Sequence, residues 1–67
     1  MQLTVNGHTV DVPIHVTTIG LLLDHLQLNK ELAIVELNRV ILQKDERDEA
    51  TIQPDDYIEI VQFVGGG

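Results

Sequence analysis

Tyr57-Ile58-Glu59-Ile60-Val61-Gln62-Phe63-Val64 runs directly into Gly65-Gly66-Gly67 at the end of the chain. The first eight residues are rich in β-branched and aromatic side chains, the composition of a strand. Three successive glycines cannot continue it, because each has no side chain to pack and loses the most conformational freedom on ordering. The expectation is a globular domain over residues 1–64 whose last strand launches a flexible glycine tail over residues 65–67. Extended, three residues reach roughly 10 Å, and no Cβ stops them from entering a narrow channel. The carboxylate at Gly67 is therefore a candidate active group, with Gly65 and Gly66 as the thread that delivers it. An inert, frayed terminus is the competing reading.

Period-two counting sorts the launch strand into two faces. Ile58 and Ile60 share one, and Val61 and Phe63 share the other. Val61 and Phe63 are therefore candidates for an apolar docking surface beside the tail. A bulge or a shortened strand would instead turn Phe63 into the core, and both placements stay open.

Working outward, Gln53-Pro54-Asp55-Asp56 is turn chemistry with proline at its second position. The six charges Lys44-Asp45-Glu46-Arg47-Asp48-Glu49 read as a solvated loop, and Ala50-Thr51-Ile52 returns towards the core. At the other end, Leu3 and Val5, then Val10 and Val12, alternate with polar residues on either side of Asn6-Gly7. Asn-Gly is the strongest short hairpin signal, since a type I′ turn needs positive φ at both central positions. Pro13 closes the second strand, and a loop over Ile14-His15-Val16-Thr17 leads to Thr18, a good N-cap. Ile19, Leu22, Leu23 and Leu26 then recur at helical spacing, and Leu28-Asn29-Lys30-Glu31 ends the helix. Gly20 in its first turn costs about 1 kcal/mol against alanine, so it marks a close approach. Leu32–Leu37 is a near-continuous apolar run, which places it inside a sheet. Asn38-Arg39 turns it into a short fourth strand, Val40-Ile41-Leu42.

Strand, strand, helix, strand, strand, strand describes an α+β fold: a mixed five-stranded sheet with one main helix packed across it. Its leucines would meet Leu3, Val5, Val10, Ile34, Ile58 and Ile60. This is the β-grasp, or ubiquitin-like, arrangement.

Sixty-seven residues bury only about 60% of their unfolded surface, which leaves little room for an internal active-site cavity. Eleven acidic against four basic residues give a net charge of −7, which repels phosphate backbones and anionic lipid and favours a partner with a basic face. Neither nucleic acid nor membrane is an expected partner. There is no cysteine, hence no disulfide and no persulfide on a side chain. No secretory leader and no run of about 20 apolar residues is present, so a cytoplasmic location is expected. His8, His15 and His25 lack metal-ligand spacing. Asp55 and Asp56 are adjacent in a turn, where they diverge. Asp45, Glu46, Asp48 and Glu49 lack the glycine and distal glutamate of a calcium loop. No catalytic constellation or metal site emerges, and the chain is expected to be acted on by an enzyme rather than to be one.

With these features assembled, the chain resembles the small sulfur-carrier proteins of thiamine biosynthesis, the ThiS family. The resemblance rests on the short length, Thr18-Ile19 with Leu22-Leu23, the strand entry Asp56-Tyr57-Ile58-Glu59-Ile60, and Phe63-Val64-Gly65-Gly66-Gly67. Asp55 stands where many β-grasp sequences have glycine before the aspartate, a departure confined to the turn. What the resemblance implies is a carrier that binds no cofactor itself. A separate adenylating enzyme, similar to ubiquitin-activating proteins, uses ATP and Mg²⁺ to make an acyl-adenylate at Gly67. A sulfur donor enzyme then supplies sulfur for a thiocarboxylate, which thiazole synthase consumes. A molybdopterin-type carrier is the alternative, although Phe63-Val64 stands where its usual proline would be. A ubiquitin-like modifier and a plain interaction module are further alternatives.

Overall fold

The structure, a computed structural model, describes residues 1–62. The assignments made to Phe63, Val64 and the glycines, including the 64/65 domain boundary, lie outside those residues. The strand that leads to the tail is the middle of the sheet. Five strands lie in the order β2-β1-β5-β3-β4, with β1 at Gln2–Val5, β2 at His8–Asp11, β3 at Ala33–Leu37, β4 at Val40–Ile41 and β5 at Tyr57–Gln62. β5 pairs parallel with β1 and antiparallel with β3, so the sheet is mixed, and β3 is an interior strand as its apolarity suggests.

The two hairpins form where their asparagines predict. Asn6 and Gly7 have φ of 51° and 82°, and Asn38 and Arg39 have 49° and 71°, the paired left-handed conformations of a type I′ turn. Asp55 also has positive φ, 69°. With Pro54 before it this makes the Gln53–Asp56 turn type II-like, a position where glycine would be unstrained.

One helix, α1 (Ile19–His25), covers one face of the sheet. Ile19, Leu22 and Leu23 are fully buried against Leu3, Val5, Val35, Ile58 and Ile60. The helix is shorter than its apolar repeat suggests. Gln27 adopts φ 60°. The Leu28 N–H donates to the Leu23 carbonyl (3.0 Å) and the Gln27 N–H to the Asp24 carbonyl (3.0 Å). This pair of bonds is a Schellman stop, here with glutamine in the left-handed position that glycine usually takes. A 3₁₀ turn at Lys30–Leu32 then occupies what reads as the start of β3.

Two expectations are corrected. Ile34 faces out of the sheet, not into the core, and Val35 takes the buried place. Ile34 lies opposite Val61 and Val35 opposite Ile60, so β5 dictates the parity of its neighbour. The charged run is not a solvated loop. Lys44–Arg47 forms a short helix, α2, begun by the Gln43 carbonyl accepting from the Glu46 and Arg47 N–H groups (3.1 and 2.8 Å), while the Glu46 carboxylate accepts from the Gln43 N–H (3.3 Å). Arg47 is 3% exposed.

The close approach at Gly20 is to the segment after α2. The Ile19 N–H donates to the Ala50 carbonyl (2.9 Å), the Gly20 N–H to the Asp48 carbonyl (3.1 Å) and the Leu21 N–H to Thr18 Oγ1 (3.2 Å). All three first-turn donors of α1, normally orphaned, are thereby satisfied. A Cβ on Gly20 would stand 2.9 Å from the Asp48 carbonyl oxygen and 3.2 Å from its Cα. Overpacking against backbone costs about 1–3 kcal/mol, more than alanine's helix propensity returns. Gly20→Ala is therefore expected to lower the urea-unfolding free energy by about 1–2 kcal/mol.

Candidate functional site

The candidate site is the end of β5 and the surfaces around it. Of the candidate residues, Val61 lies on β5; Phe63, Gly65, Gly66 and Gly67 fall outside the described residues. Val61 projects from the face of the sheet that α1 does not cover and is 57% exposed, the placement that period-two counting requires.

Val61 is not isolated there. Ile34 lies opposite it on β3 and is 41% exposed. Ile41 on β4 pairs with the outward Glu36 and is 60% exposed. Three aliphatic side chains from three adjacent strands thus leave an apolar strip on the open face, beside the C-terminal end of the described β5. Ile34 and Ile41 were missed in the sequence because a run such as Ala33-Ile34-Val35 has no alternation from which to read a face.

Acidic residues flank the strip. Glu36 and Glu59 are opposite each other on β3 and β5, and like charges so placed repel. Glu59 is occupied by a neighbour two residues away: the Tyr57 hydroxyl donates to its carboxylate at 2.8 Å. That bond, and the carboxylate's negative charge, hold the Tyr57 phenol above its ordinary value. Arg39 lies 5.8 Å from the Tyr57 ring centroid and opposes the rise more weakly. The neutral phenol is the form that the fold favours, so this contribution is present below the unfolded pKa and fades as pH rises through the folded one. Tyr57 is the only tyrosine and there is no tryptophan, so its ultraviolet titration is unobstructed. The midpoint is expected above about 10, and Glu59→Gln is expected to lower it; a midpoint unmoved by that substitution would contradict the assignment.

The end of β5 is fastened by side chains. The Asn6 carboxamide bonds to both backbone groups of Ile60, and Gln62 Oε1 accepts from the Asn29 N–H at 3.3 Å. On the β3 side, Lys44 donates to Glu31 at 2.7 Å and keeps that carboxyl below its usual range. His8 sits in β2, His15 in the loop after it and His25 at the end of α1. Among the described residues no three His, Cys, Asp or Glu side chains gather as a metal site, and no helix is long and apolar enough to cross a membrane.

A sheet with an open, partly apolar face and a central strand running to a Gly-Gly-Gly end can be set beside known proteins. The chain is 42% identical over 66 residues to the sulfur carrier protein ThiS of Bacillus subtilis (strain 168), an alignment covering 98% of this chain and all of that one. The crystal structure of a thiamine biosynthesis protein (ThiS) from Geobacter metallireducens superposes with a TM-score of 0.81 at 35% identity, each chain wholly covered. A solution structure of a thiamine biosynthesis protein from the same organism gives 0.78 at 37% identity, covering all of this chain and 88% of the other. Residues 3–67 match the family itself. On sequence, fold and extent of match, this chain belongs to the ThiS family of ubiquitin-like, β-grasp sulfur carrier proteins.

Proposed function

We propose that the sulfur this chain carries in thiamine biosynthesis rides on the carboxylate of Gly67. The observation that carries this reading is the family match running through residue 67, in a chain with no cysteine to hold a persulfide. A carboxylate is a poor electrophile and must be activated first. A partner adenylating enzyme of the ubiquitin-activating kind supplies that step with ATP and Mg²⁺, and the carrier itself binds no cofactor. A carboxylate oxygen of Gly67 attacks the α-phosphorus and pyrophosphate leaves. With hydrosulfide as the final nucleophile, sulfur adds to the acyl carbon and AMP departs, leaving a thiocarboxylate. A sulfur donor enzyme is the source of that sulfur, and thiazole synthase is the consumer. These exchanges belong in the cytoplasm, where the partner enzymes would meet the carrier.

The apolar strip supports the docking half of the reading. Val61, with Ile34 and Ile41 beside it, and Phe63 next on the same parity, would rest on an apolar patch of the partner. The net charge of −7 suits a basic rim on that partner and steers the encounter. The five residues after Gln62 span at most roughly 17 Å, which limits how far the docked body can stand from the nucleotide. Gly65 and Gly66 keep that thread narrow.

Intact-mass spectrometry after incubation with the adenylating enzyme, ATP, Mg²⁺ and hydrosulfide tests the proposal. The expected product shows one oxygen replaced by sulfur, dependent on ATP. An unchanged mass with an enzyme that is active on another family member would refute it.

A further inference from the structure

We infer that Asn6 is a positioning residue for the transfer reaction, acting through β5 without touching the reacting atoms. This rests on the reading of Gly67 as the attachment point. β1 and β5 share a parallel ladder whose rungs climb β5 two residues at a time. The Thr4 N–H donates to the Asp56 carbonyl (3.0 Å) and the Asn6 N–H to the Ile58 carbonyl (2.9 Å). The next rung falls at Ile60, but β1 has by then ended and the chain has turned away through Asn6-Gly7. There the Asn6 side chain takes over. Its Oδ1 accepts from the Ile60 N–H at 2.7 Å and its Nδ2 donates to the Ile60 carbonyl at 3.0 Å. One carboxamide thus stands in for the missing peptide of β1, with a donor and an acceptor at the spacing a backbone would offer.

The consequence reaches the tail. Backbone groups alternate sides along a strand, so those of Ile60 face β1, where Asn6 is their partner among the described residues. Beyond Ile58, among the described residues, β5 is otherwise held by β3, from Glu59 opposite Glu36 to Gln62 opposite Ala33, and by Gln62 Oε1 accepting from the Asn29 N–H at 3.3 Å. The clamp fixes β5 on its β1 side two residues before Gln62, the residue from which the thread to Gly67 follows. Releasing it lengthens the thread and loosens its aim, while Ile34 and Ile41, on strands that Asn6 does not touch, keep their places on the docking face.

The molecule contains its own control. Asn38 opens the other hairpin with the same backbone conformation, and its Oδ1 accepts from the Tyr57 N–H at 2.9 Å. It fastens the opposite end of β5, away from the tail. Both turns tolerate glycine at the asparagine position, since positive φ is what they require. Asn6→Gly and Asn38→Gly therefore each delete a side-chain clamp on one strand and leave the hairpin intact.

The test measures initial rates of thiocarboxylate formation with the carrier varied, together with amide hydrogen exchange, for the wild type and both variants. Asn6→Gly is expected to lower kcat about tenfold, with KM within about twofold. A displacement of about 1 Å can cost on the order of a hundredfold, and β3 still holds one side. The Ile60 amide should exchange at least about tenfold faster in this variant, reporting local opening, and Asn38→Gly should keep the wild-type kcat and Ile60 protection. Asn6→Asp, which retains the acceptor and loses the donor, should fall between, and it serves if the glycine variant does not fold. Equal kcat for Asn6→Gly and wild type, or equal losses in Asn6→Gly and Asn38→Gly, would overturn the inference. A wild-type chain that yields no thiocarboxylate would overturn the Gly67 reading, and this inference with it.

Discussion

Deleting Gly66 and Gly67 is expected to abolish adenylate and thiocarboxylate formation while leaving the unfolding curve within about 0.5 kcal/mol of wild type. Among the described residues the buried core ends at Ile60, and two terminal glycines have no side chain to pack, so the truncation is expected to leave the packing of the domain intact. It does shorten the reach of the thread and moves its carboxylate away from the α-phosphate. Single substitutions divide the effect. Gly67→Ala places a side chain beside the attacking oxygen, where a displacement of about 1 Å costs on the order of a hundredfold in rate. Gly66→Ala widens the thread and removes easy access to positive φ, and Gly65→Ala, nearest the strand, should be mildest. Adenylate quantified at early times by quenched mass spectrometry is the measurement, alongside a urea melt of each variant. A truncation that unfolds the domain would mean that residues 66 and 67 are part of its packing and not a separable handle.

Arg47→Met is expected to cost about 3 kcal/mol of stability, the largest effect of any charged residue. Arg47 Nη1 donates to the Lys30 and Ala33 carbonyls at 2.9 and 2.8 Å, and its Nε donates to the Asp48 carboxylate at 3.1 Å. Methionine keeps much of the buried stem and deletes every one of these bonds. Each buried acceptor stranded in this way costs about 1–3 kcal/mol. A domain of this length has only about 3–10 kcal/mol in total, so the variant should be partly unfolded at modest urea. Arg47→Lys should be intermediate, because one ammonium cannot reproduce the fork that reaches two carbonyls and a carboxylate. A wild-type midpoint for Arg47→Met would show that water replaces the guanidinium at little cost.

Arg47 also shows where sequence reading stops. In a run of six charges nothing local distinguishes it from Lys44 or Glu49, and its burial is decided by carbonyls 14 and 17 residues away. Asn6 is similar. The turn was legible from Asn-Gly alone, but the clamp spans 54 residues of sequence and has no local signature. Ile34 is placed on the wrong face by sequence because unbroken apolar runs carry no period, whereas counting by two from Ile58 and Ile60 puts Val61 on the outer face of β5. Gly20 announced a close approach through its cost in a helix, although only the fold identifies the Asp48 backbone as the neighbour. The element order was readable because hairpin turns, an N-cap and helical spacing are local signals. What goes unread are side-chain contacts between elements far apart in sequence, such as Asn6 on Ile60 and Arg47 on the Lys30 and Ala33 carbonyls.

The central claim, that this chain carries sulfur as an acyl group at Gly67, is tested most directly by locating the sulfur. The chain is incubated with the adenylating enzyme, ATP, Mg²⁺ and hydrosulfide, and the product is fragmented from its C-terminal end in the mass spectrometer. The oxygen-to-sulfur replacement is expected wholly on the fragment containing Gly67; sulfur on any fragment that lacks Gly67 would contradict a carrier that works through its terminal acyl group.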